Sequence, residues 1–234
     1  MEYNLLKYDL ASGVVAFSTL RPAGVPRPHA RAVGLPWPVL QPHQVHGVGV
    51  TVVSARTRRR PEDCDAVVTD LRDFAIGVRT ADCIPVLLYD PVRQAVAAIH
   101  AGWKGTVLKI VAKTVSVMAE SYGTSPADLR ALIGPGISPD SFQVGPEVAE
   151  RFAAEGFPLA EILSDRGPRV PGTMQGGLHI DLWQANRWLL ETLGVPPEHI
   201  TVTGLDTYTD SRFWSARRDG PACGRLLTAI RLCK

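Results

Sequence analysis

Five short stretches of β-branched and aliphatic residues lie close together in this 234-residue chain. They predict strands at VGVTVVSA (48–55), DAVVTD (65–70), FAIGVRT (74–80), IPVLLYD (84–90) and QAVAAIH (94–100). Most of the links between them are too short for the helical crossover that joins parallel neighbours. The spacing therefore predicts a mixed or antiparallel sheet, and this is the strongest constraint on the fold.

The flanking segments add further strands and a set of helices. Strands are predicted at 14–20, 131–136, 199–204 and 224–232, and apolar residues at three- and four-residue steps predict helices over 104–123, 146–155 and 179–194. Gly123 and Gly194 are the expected C-terminal stops, and Asp181 is the expected N-cap. Clusters of strands separated by helices, without strict alternation, predict an α+β or mixed α/β sandwich.

The chain shows no shift in composition and no linker that would divide it. We therefore expect a single domain over residues 1–234. A proline-rich segment at 21–42 lies within it, and prolines at that density exclude helix and leave extended or turn structure.

Bulk composition excludes several functional classes. Hydrophobic residues at 45% and charged residues at 21% are typical of a soluble globular protein. A net charge of +2 is too small to indicate a nucleic-acid partner. The basic cluster at 56–60 is followed by acids, so we interpret it as a solvated loop, with a phosphate or partner contact as the alternative.

The apolar segments and the cysteines indicate the cellular compartment in which the protein is expected. No run approaches the ~20 apolar residues needed to cross a bilayer, so no membrane partner is expected. The N-terminus lacks the pattern of a signal peptide. The four cysteines show no CxxC spacing, which favours a reducing cytoplasm.

Three short motifs, QVHG, TADC and HAGWKG, supply His46, Cys83 and His100 near the ends of predicted strands. Two imidazoles and one thiolate are a ligand set for a divalent metal such as zinc, with a fourth position free for water or substrate. Each residue also has a structural interpretation: His46 as a polar turn residue, Cys83 as a small core residue, His100 as a histidine at a strand end. His43 is a competing ligand.

These motifs, together with PVLLYDP, IGPGISP followed by FQVG, and FWSARRDG followed by GR, occur here in one order over residues 44–232. The set resembles the polyphenol oxidase or laccase-domain family, also described as purine nucleoside phosphorylases. The resemblance implies a four-layer α/β/β/α fold with mixed sheets and a metal held by His46, Cys83 and His100, with zinc expected and copper as the alternative. It also implies phosphorolysis of adenosine, inosine and methylthioadenosine, with some adenosine deamination.

The chain departs from the family pattern at three places. Its opening is proline-rich and shortened, Asp206-Thr207 stands where the family often has Cys-Thr, and the loop DGPACGR carries extra residues that include Cys223. A further family cysteine near the site is therefore absent here.

Other residues are candidates for catalysis or substrate binding. Cys83, His100 and Asp82 are the candidate catalytic residues, although Asp82 could instead hold its neighbours in place. Anion-binding candidates are Lys104 at a glycine-flanked helix start and the pair Arg217 and Arg218, whose guanidinium groups suit phosphate. Trp103 is either a core residue or a surface for a purine ring.

The leading hypothesis is a metal-dependent purine nucleoside phosphorylase acting on a nucleoside and phosphate, as a monomer or homodimer. Six histidines in total are too few for the separate copper centres of a multicopper oxidase. A metal-free hydrolase with Cys83 as nucleophile and His100 as base is the second hypothesis, and it includes peptide editing of cell-wall precursors. The third is a metal-binding protein without enzymatic activity.

Overall fold

The strands predicted between residues 48 and 100 form the centre of two stacked sheets in the computed structural model, which describes residues 4–21, 39–57, 59–168 and 175–233. Most of the proline-rich segment predicted at 21–42 lies outside the described residues. The strands of the six-stranded sheet are β4 (Val50–Val52), β5 (Ala66–Thr69), β7 (Ile84–Asp90), β8 (Ala95–Ala101), β9 (Arg130–Ile133) and β13 (Ile200–Val202).

Their order across the sheet is β13-β9-β7-β8-β5-β4. The strands β5, β8, β7 and β9 are antiparallel neighbours, whereas both edge strands pair in parallel. The short links of the sequence thus produce the mixed sheet that they predict.

A second sheet contains five strands in the order β1-β2-β14-β6-β3. They are β1 (Leu5–Tyr8), β2 (Val14–Thr19), β3 (Val39–Leu40), β6 (Ala75–Thr80) and β14 (Leu226–Leu232), and only the β3–β6 pair is parallel. A small antiparallel sheet is built from β10 (Gln143–Val144), β11 (Leu163–Asp165) and β12 (Leu178–Ile180).

The helices are α1 (Trp103–Val107), α2 (Ile110–Tyr122), α3 (Pro146–Ala154), α4 (Leu159–Ile162), α5 (Leu182–Thr192) and α6 (Ala216–Asp219). The single helix predicted over 104–123 is wrong in one respect, because Lys109 adopts a left-handed conformation (φ 61°) that separates α1 from α2. Gly123 ends α2 in the left-handed conformation, and the Asp181 side chain accepts a hydrogen bond from the Gln184 N–H at the start of α5, as predicted.

Strand alternation places two separate cores on the two faces of the six-stranded sheet. On one face Val86, Leu88 and Ile99 pack with Val111 and Met118 of α2. On the other face Leu87, Val96 and Ala98 pack against Ile76 and Ile230 of the five-stranded sheet. Helices, six-stranded sheet and five-stranded sheet therefore form three successive layers.

The predicted mixed α/β class with mixed sheets is confirmed. A helical layer on the outer face of the five-stranded sheet stays a prediction, as does the single-domain assignment. In the described part of the chain, the helices are too short or too polar to cross a bilayer.

Candidate functional site

The antiparallel pairing of β7 with β8 brings Cys83 and His100 to the same end of the central sheet. Ile84 pairs with Ala101 and Pro85 pairs with His100, so Cys83 lies beside the residues that leave β8. His46, in the loop before β4, completes the group: one ligand atom from each of the three residues lies within 4.8 Å of the others. The two imidazole rings meet edge to face, with centroids 4.8 Å apart and planes at 75°.

Gly102 leaves space for this group. A Cβ atom at this position would lie 3.0 Å from the Cys83 Sγ and 3.4 Å from the His46 Cδ2. The Gly102 backbone has an ordinary extended conformation (φ −69°), so glycine is needed here for room and not for conformational freedom. A side chain at this position would press on the Cys83 thiol, which would have to move by a few tenths of an ångström.

Asp65 positions two of the three candidate ligands through hydrogen bonds. It is fully buried, and its Oδ1 lies 2.7 Å from the Nδ1 of His100, which is only 3% exposed. The Asp65 carboxylate also accepts hydrogen bonds from the backbone N–H groups of Val45, His46 and Gly47, at 3.2, 2.9 and 2.8 Å. One carboxylate thus orients one imidazole and fixes the loop that carries the other.

This network explains the backbone of His46, which has a left-handed conformation (φ 59°) that is uncommon for residues other than glycine. Three hydrogen bonds to a buried carboxylate compensate for that conformation. Gln44 adds a second anchor: its Oε1 accepts from the Arg79 backbone N–H and its Nε2 donates to the Arg79 carbonyl, both at 2.8 Å. The QVHG motif is therefore held at both ends.

The thiol and imidazole of the site shift each other's pKa. Burial opposes ionisation of Cys83, but the positive charge of His100 and hydrogen bonds from His100 and His46 lower its pKa to about 6. Burial also opposes the charged form of His100, but the Cys83 charge and the Asp65 hydrogen bond raise its pKa to about 9. For Asp65, burial is outweighed by the His100 hydrogen bond and the backbone donors, which lower its pKa. All three groups are therefore ionised together near neutral pH in the protein without metal.

The donor set fits a divalent metal. The Asp65 carboxylate can only accept, so the Nδ1 of His100 donates to it and the Nε2 is available as a ligand in the neutral ring. A thiolate and two imidazoles are ligands that zinc and copper both accept. The geometry therefore supports metal binding by His46, Cys83 and His100.

The three residues lie at one side of a cavity of about 750 Å³. Ile137 and Phe142 contribute apolar surface to it. Four arginines line the cavity, whereas Asp82 is its one carboxylate residue among those described; the arginines are Arg60, Arg79, Arg217 and Arg225. The cavity is thus positively charged, and its size matches that of small-molecule sites.

Asp82 lines the cavity, but both of its oxygens are engaged. Oδ1 accepts a hydrogen bond from the Thr207 hydroxyl at 2.7 Å, and Oδ2 accepts from the Arg217 backbone N–H at 2.6 Å. Asp82 itself has a positive φ of 81°. These contacts favour the interpretation in which Asp82 fixes the wall of the cavity, since it joins the Cys83 turn to the start of α6.

The two arginines of the SARRDG motif point in different directions. The Arg217 guanidinium lines the cavity, where Nη1 and Nη2 donate to the Gln143 carbonyl and the group lies 5.7 Å from the Phe142 ring centroid. The Arg218 guanidinium instead donates to the carbonyls of residues 207, 208 and 213 and pairs with Asp219. Only Arg217 is therefore positioned to meet a ligand in the cavity.

Lys104 and Trp103 are not among the residues that line the cavity. Trp103 is half-buried and packs against the core beneath the helices, and the Lys104 Nζ lies 5.8 Å from its ring centroid. Their roles in binding phosphate and purine stay predictions, and the placement favours the alternative of a core tryptophan beside an exposed lysine.

Sequence reasoning missed Asp65, Gln44 and the arginines at 79 and 225. Strand register could have found Asp65, because the pairing of Ala66 with Ile99 places it opposite His100. Arg79 is the one exposed residue of the otherwise buried β6, and this pattern is visible once the strand is assigned. Arg225 belongs to the GR pair that follows FWSARRDG in the family motif, but the motif does not indicate that its side chain enters this cavity.

A second group of possible ligands consists of His43, Glu62 and Asp63, all exposed. The His43 Nδ1 lies 3.3 Å from Glu62 and 3.5 Å from Asp63. Exposed clusters of this kind are common without a metal. His43 lines the same cavity as His46, but its ligand atom groups with Glu62 and Asp63 and not with Cys83 and His100.

Comparison with known proteins decides the family. Residues 26–233 match the sequence family described as "Multi-copper polyphenol oxidoreductase laccase". The chain belongs to this family. The family resemblance found in the motifs is confirmed, although the described residues of this member hold one histidine–cysteine–histidine group and not several copper centres.

Curated relatives in the same family carry enzyme names. A purine nucleoside phosphorylase of Bacteroides thetaiotaomicron is 41% identical over 80% of this chain and 68% of its own length. Adenosine deaminase RL5, from an unknown prokaryotic organism, is 38% identical over 82% of this chain and 74% of its own length. These two relatives of the chain thus have names for two different reactions of purine nucleosides.

Solved structures share the fold. The Neisseria meningitidis protein NMB0706 superposes with a TM-score of 0.81 at 30% identity, covering 99% of this chain and 100% of its own. The Bacillus licheniformis hypothetical protein YfiH superposes with a TM-score of 0.82 at 26% identity, covering 97% of this chain and 96% of its own. The likeness extends over the whole fold and not only over the motifs.

Proposed function

We propose that this protein is a metal-dependent purine nucleoside phosphorylase, which releases the base from adenosine, inosine and methylthioadenosine by using phosphate, and deaminates adenosine as a side reaction. One observation carries the proposal: His46, Cys83 and His100 converge on a cavity that also presents arginine side chains. The names of the relatives support both reactions.

Both proposed reactions can be written with substrates alone, so that the protein has to bind and orient them. In phosphorolysis an oxygen of monohydrogen phosphate bonds to the anomeric carbon, the carbon–nitrogen bond breaks with its electron pair on the purine, and the phosphate proton ends on the base. In deamination a water molecule adds to the purine carbon that bears the amine, and ammonia leaves. The cavity residues must therefore hold an anion, a planar purine and a water molecule.

The side chains that line the cavity can do this. The arginines offer guanidinium groups to phosphate, and Ile137 and Phe142 offer apolar surface to a purine ring. Asp82 fixes the Arg217 backbone, and Asp65 holds His100 in the tautomer with a free Nε2. A metal held by His46, Cys83 and His100 would supply a Lewis acid in the cavity.

We propose zinc as the native metal, with copper as the alternative, because the ligand set accepts both. We also place the protein in the cytoplasm, since all four cysteines are free and a thiolate ligand needs a reducing compartment. For the oligomeric state, we propose a monomer or a homodimer.

The test is a turnover assay on protein with a measured metal content. Zinc-loaded protein incubated with adenosine and phosphate should yield adenine and ribose 1-phosphate, and omission of phosphate should abolish adenine release but not inosine formation. Cys83→Ala should lose both the metal and the activity. Cys233→Ala is the matched control and should keep both, because the contacts of Cys233 are made by its backbone. If fully loaded protein releases no base, the proposal fails.

A metal-free cysteine hydrolase is the second candidate, and the Asp65–His100–Cys83 chain favours it. The thiol is hydrogen-bonded to an imidazole that is oriented by a buried carboxylate, which is the arrangement of an activated cysteine nucleophile. This candidate leaves His46 without a catalytic role. Stoichiometric metal in the purified protein, lost in Cys83→Ala, would exclude it, whereas metal-free protein that forms a covalent adduct at Cys83 would support it.

A further inference from the structure

Three arginines from distant parts of the chain line the cavity together: Arg60 before β5, Arg79 on β6 and Arg225 before β14. The sequence assigns Arg79 and Arg225 to no ligand, whereas Arg60 belongs to the basic cluster at 56–60, for which a phosphate or partner contact is the alternative interpretation. No ion pair joins any of the three to a carboxylate within the described ranges. Three like charges without a neutralising acid are costly unless an anion accompanies them.

Two of the three guanidinium groups are fixed in place by backbone carbonyls. Arg60 donates from Nε to the Gln41 carbonyl at 3.2 Å and from Nη2 to the Pro42 carbonyl. Arg225 donates from Nη1 and Nη2 to the carbonyls of residues 221, 223 and 224. Carbonyl partners hold a guanidinium without neutralising it, so both groups keep their full charge toward the cavity.

The Arg79 side chain interacts electrostatically with both of these fixed charges. Its backbone is clamped by Gln44, but its side chain has no hydrogen-bond partner in the described part of the chain. Burial, with the charges of Arg60 and Arg225, lowers the pKa of Arg79. The three charges are therefore close enough to repel one another, and the Arg79 fork has unused donors.

We propose that Arg60, Arg79 and Arg225 form a binding site for a phosphate group in the cavity that holds His46, Cys83 and His100. A tetrahedral dianion can accept bidentate hydrogen bonds from the Arg79 fork, and it would neutralise the charge of the two fixed neighbours. The identity of the anion rests on the proposed function, in which phosphate is a substrate. The site differs from the SARRDG pair, of which only Arg217 reaches the cavity.

The Gln44 clamp links this site to the metal ligands. Gln44 holds the Arg79 backbone and lies two residues before His46 in the same loop. A phosphate on Arg79 would therefore lie in the same cavity as the metal ligands. This placement suits an anion that reacts at the metal side of the cavity.

The test measures binding of inorganic phosphate directly, by titration calorimetry on zinc-loaded protein at low ionic strength. Arg79→Gln should weaken phosphate binding by about 10- to 100-fold, the value expected for charged hydrogen bonds. It should not unfold the protein, because the side chain makes no hydrogen bond to the described residues. Arg79→Lys keeps the charge without the fork and should lose less affinity. Arg151→Gln, on the exposed face of α3, is the control and should bind normally.

Parallel titrations with adenosine 5′-monophosphate and adenosine distinguish two sources of the phosphate group. Phosphate binding that weakens in Arg79→Gln supports a free-phosphate site. A response to Arg79→Gln that appears only with the monophosphate supports the same site with a nucleotide as its ligand. Phosphate and monophosphate binding that is equal in Arg79→Gln and wild type overturns the inference.

The inference and the proposed function fail separately. If phosphate binds through Arg79 but no base is released, the proposed function fails and the site remains. If base release proceeds with the same phosphate KM in Arg79→Gln and wild type, the function stands and the site is overturned.

Discussion

Asp65 accepts a hydrogen bond from the Nδ1 of His100 at 2.7 Å, across 35 positions of sequence. The contact is made by strand register, because β5 and β8 are antiparallel and the His100 backbone N–H also donates to the Asp65 carbonyl at 2.7 Å. The same carboxylate holds the His46 loop through three backbone N–H groups. Two of the three candidate ligands therefore depend on one acid that does not itself belong to the ligand group.

Removing this charge should weaken metal binding. In Asp65→Asn the amide cannot hold His100 in the correct tautomer as strongly, and it leaves the backbone donors of the His46 loop with a poorer acceptor. We expect metal affinity to fall by about 10- to 100-fold, measured by competition with a chromogenic chelator. Asp9→Asn, at an exposed position, should bind as the wild type does. Equal affinities in both variants would contradict the role given to Asp65.

A methyl group at Gly102 should disturb the site without disturbing the fold. Gly102→Ala places a Cβ 3.0 Å from the Cys83 Sγ, whereas the backbone conformation accepts alanine. We expect a loss of metal affinity of at least about tenfold with a nearly unchanged melting temperature, since the strain falls on two movable side chains. Chelator competition and circular dichroism measure the two quantities.

Gly47→Ala is the matched control for that substitution. Its added Cβ would meet the Asp65 and Val45 side chains only at 3.6 Å, which is ordinary van der Waals contact. Metal affinity should therefore be retained. If both variants lost metal affinity to the same extent, any added methyl group near the ligands would disturb the site. The close approach of Gly102 to Cys83 would then not explain the effect.

The sequence predicts most of the fold because the central strands are almost continuously apolar. β7 and β8 are buried along their full length, and their limits match the predicted ones within a residue. The break between α1 and α2 could not be predicted, because the apolar periodicity runs through Lys109 without interruption. Only the left-handed backbone at that lysine, which tertiary packing selects, separates the two helices.

The candidate site was predicted in part. Local motifs mark His46, Cys83 and His100, because each occurs in a short segment of unusual composition. Asp65 and Arg79 carry no such mark, since their proximity to the site is a product of pairing between distant strands. Arg218 is marked by its motif but does not reach the cavity. It is adjacent to Arg217 in sequence, yet its guanidinium points away and donates to backbone carbonyls.

Alkylation should report the ionisation of Cys83 in protein stripped of metal. Because the thiolate is the reactive form, the rate should follow a pKa of about 6 and reach its plateau near neutral pH, well below the ordinary value of about 8.5. Burial raises the pKa of Cys64 and Cys223, so these two should contribute little at pH 7. Subtracting the rate of Cys83→Ser isolates the site.

Bound metal should protect Cys83 from the same reagent, because coordination shares the negative charge of the thiolate with the metal and lowers its nucleophilicity. Zinc-loaded protein should therefore react only as fast as the metal dissociates. An alkylation midpoint near 8.5 in the metal-free protein would contradict the coupling with His100. Equal rates with and without zinc would show that Cys83 is not a ligand.

Asp206 should contribute stability that depends on pH. Its carboxylate accepts hydrogen bonds from Ser138, Ser141 and Tyr208. Burial would raise its pKa, but these donors, with the Ser141 hydroxyl foremost, lower it. A folded pKa below the unfolded value means that the stabilisation is complete above about pH 4 and is lost as the pH falls through the folded pKa.

Asp206→Asn should therefore destabilise the protein by about 1–3 kcal/mol at pH 7, because an amide leaves several of these donors without an acceptor. Urea unfolding at successively lower pH should show the difference from wild type shrinking below about pH 4, as the wild-type carboxyl becomes protonated. Metal affinity at pH 7 should be unchanged, since the Asp206 carboxylate contacts none of the three candidate ligands. A difference in stability that stayed constant down to pH 3 would show that Asp206 acts through packing and not through its charge.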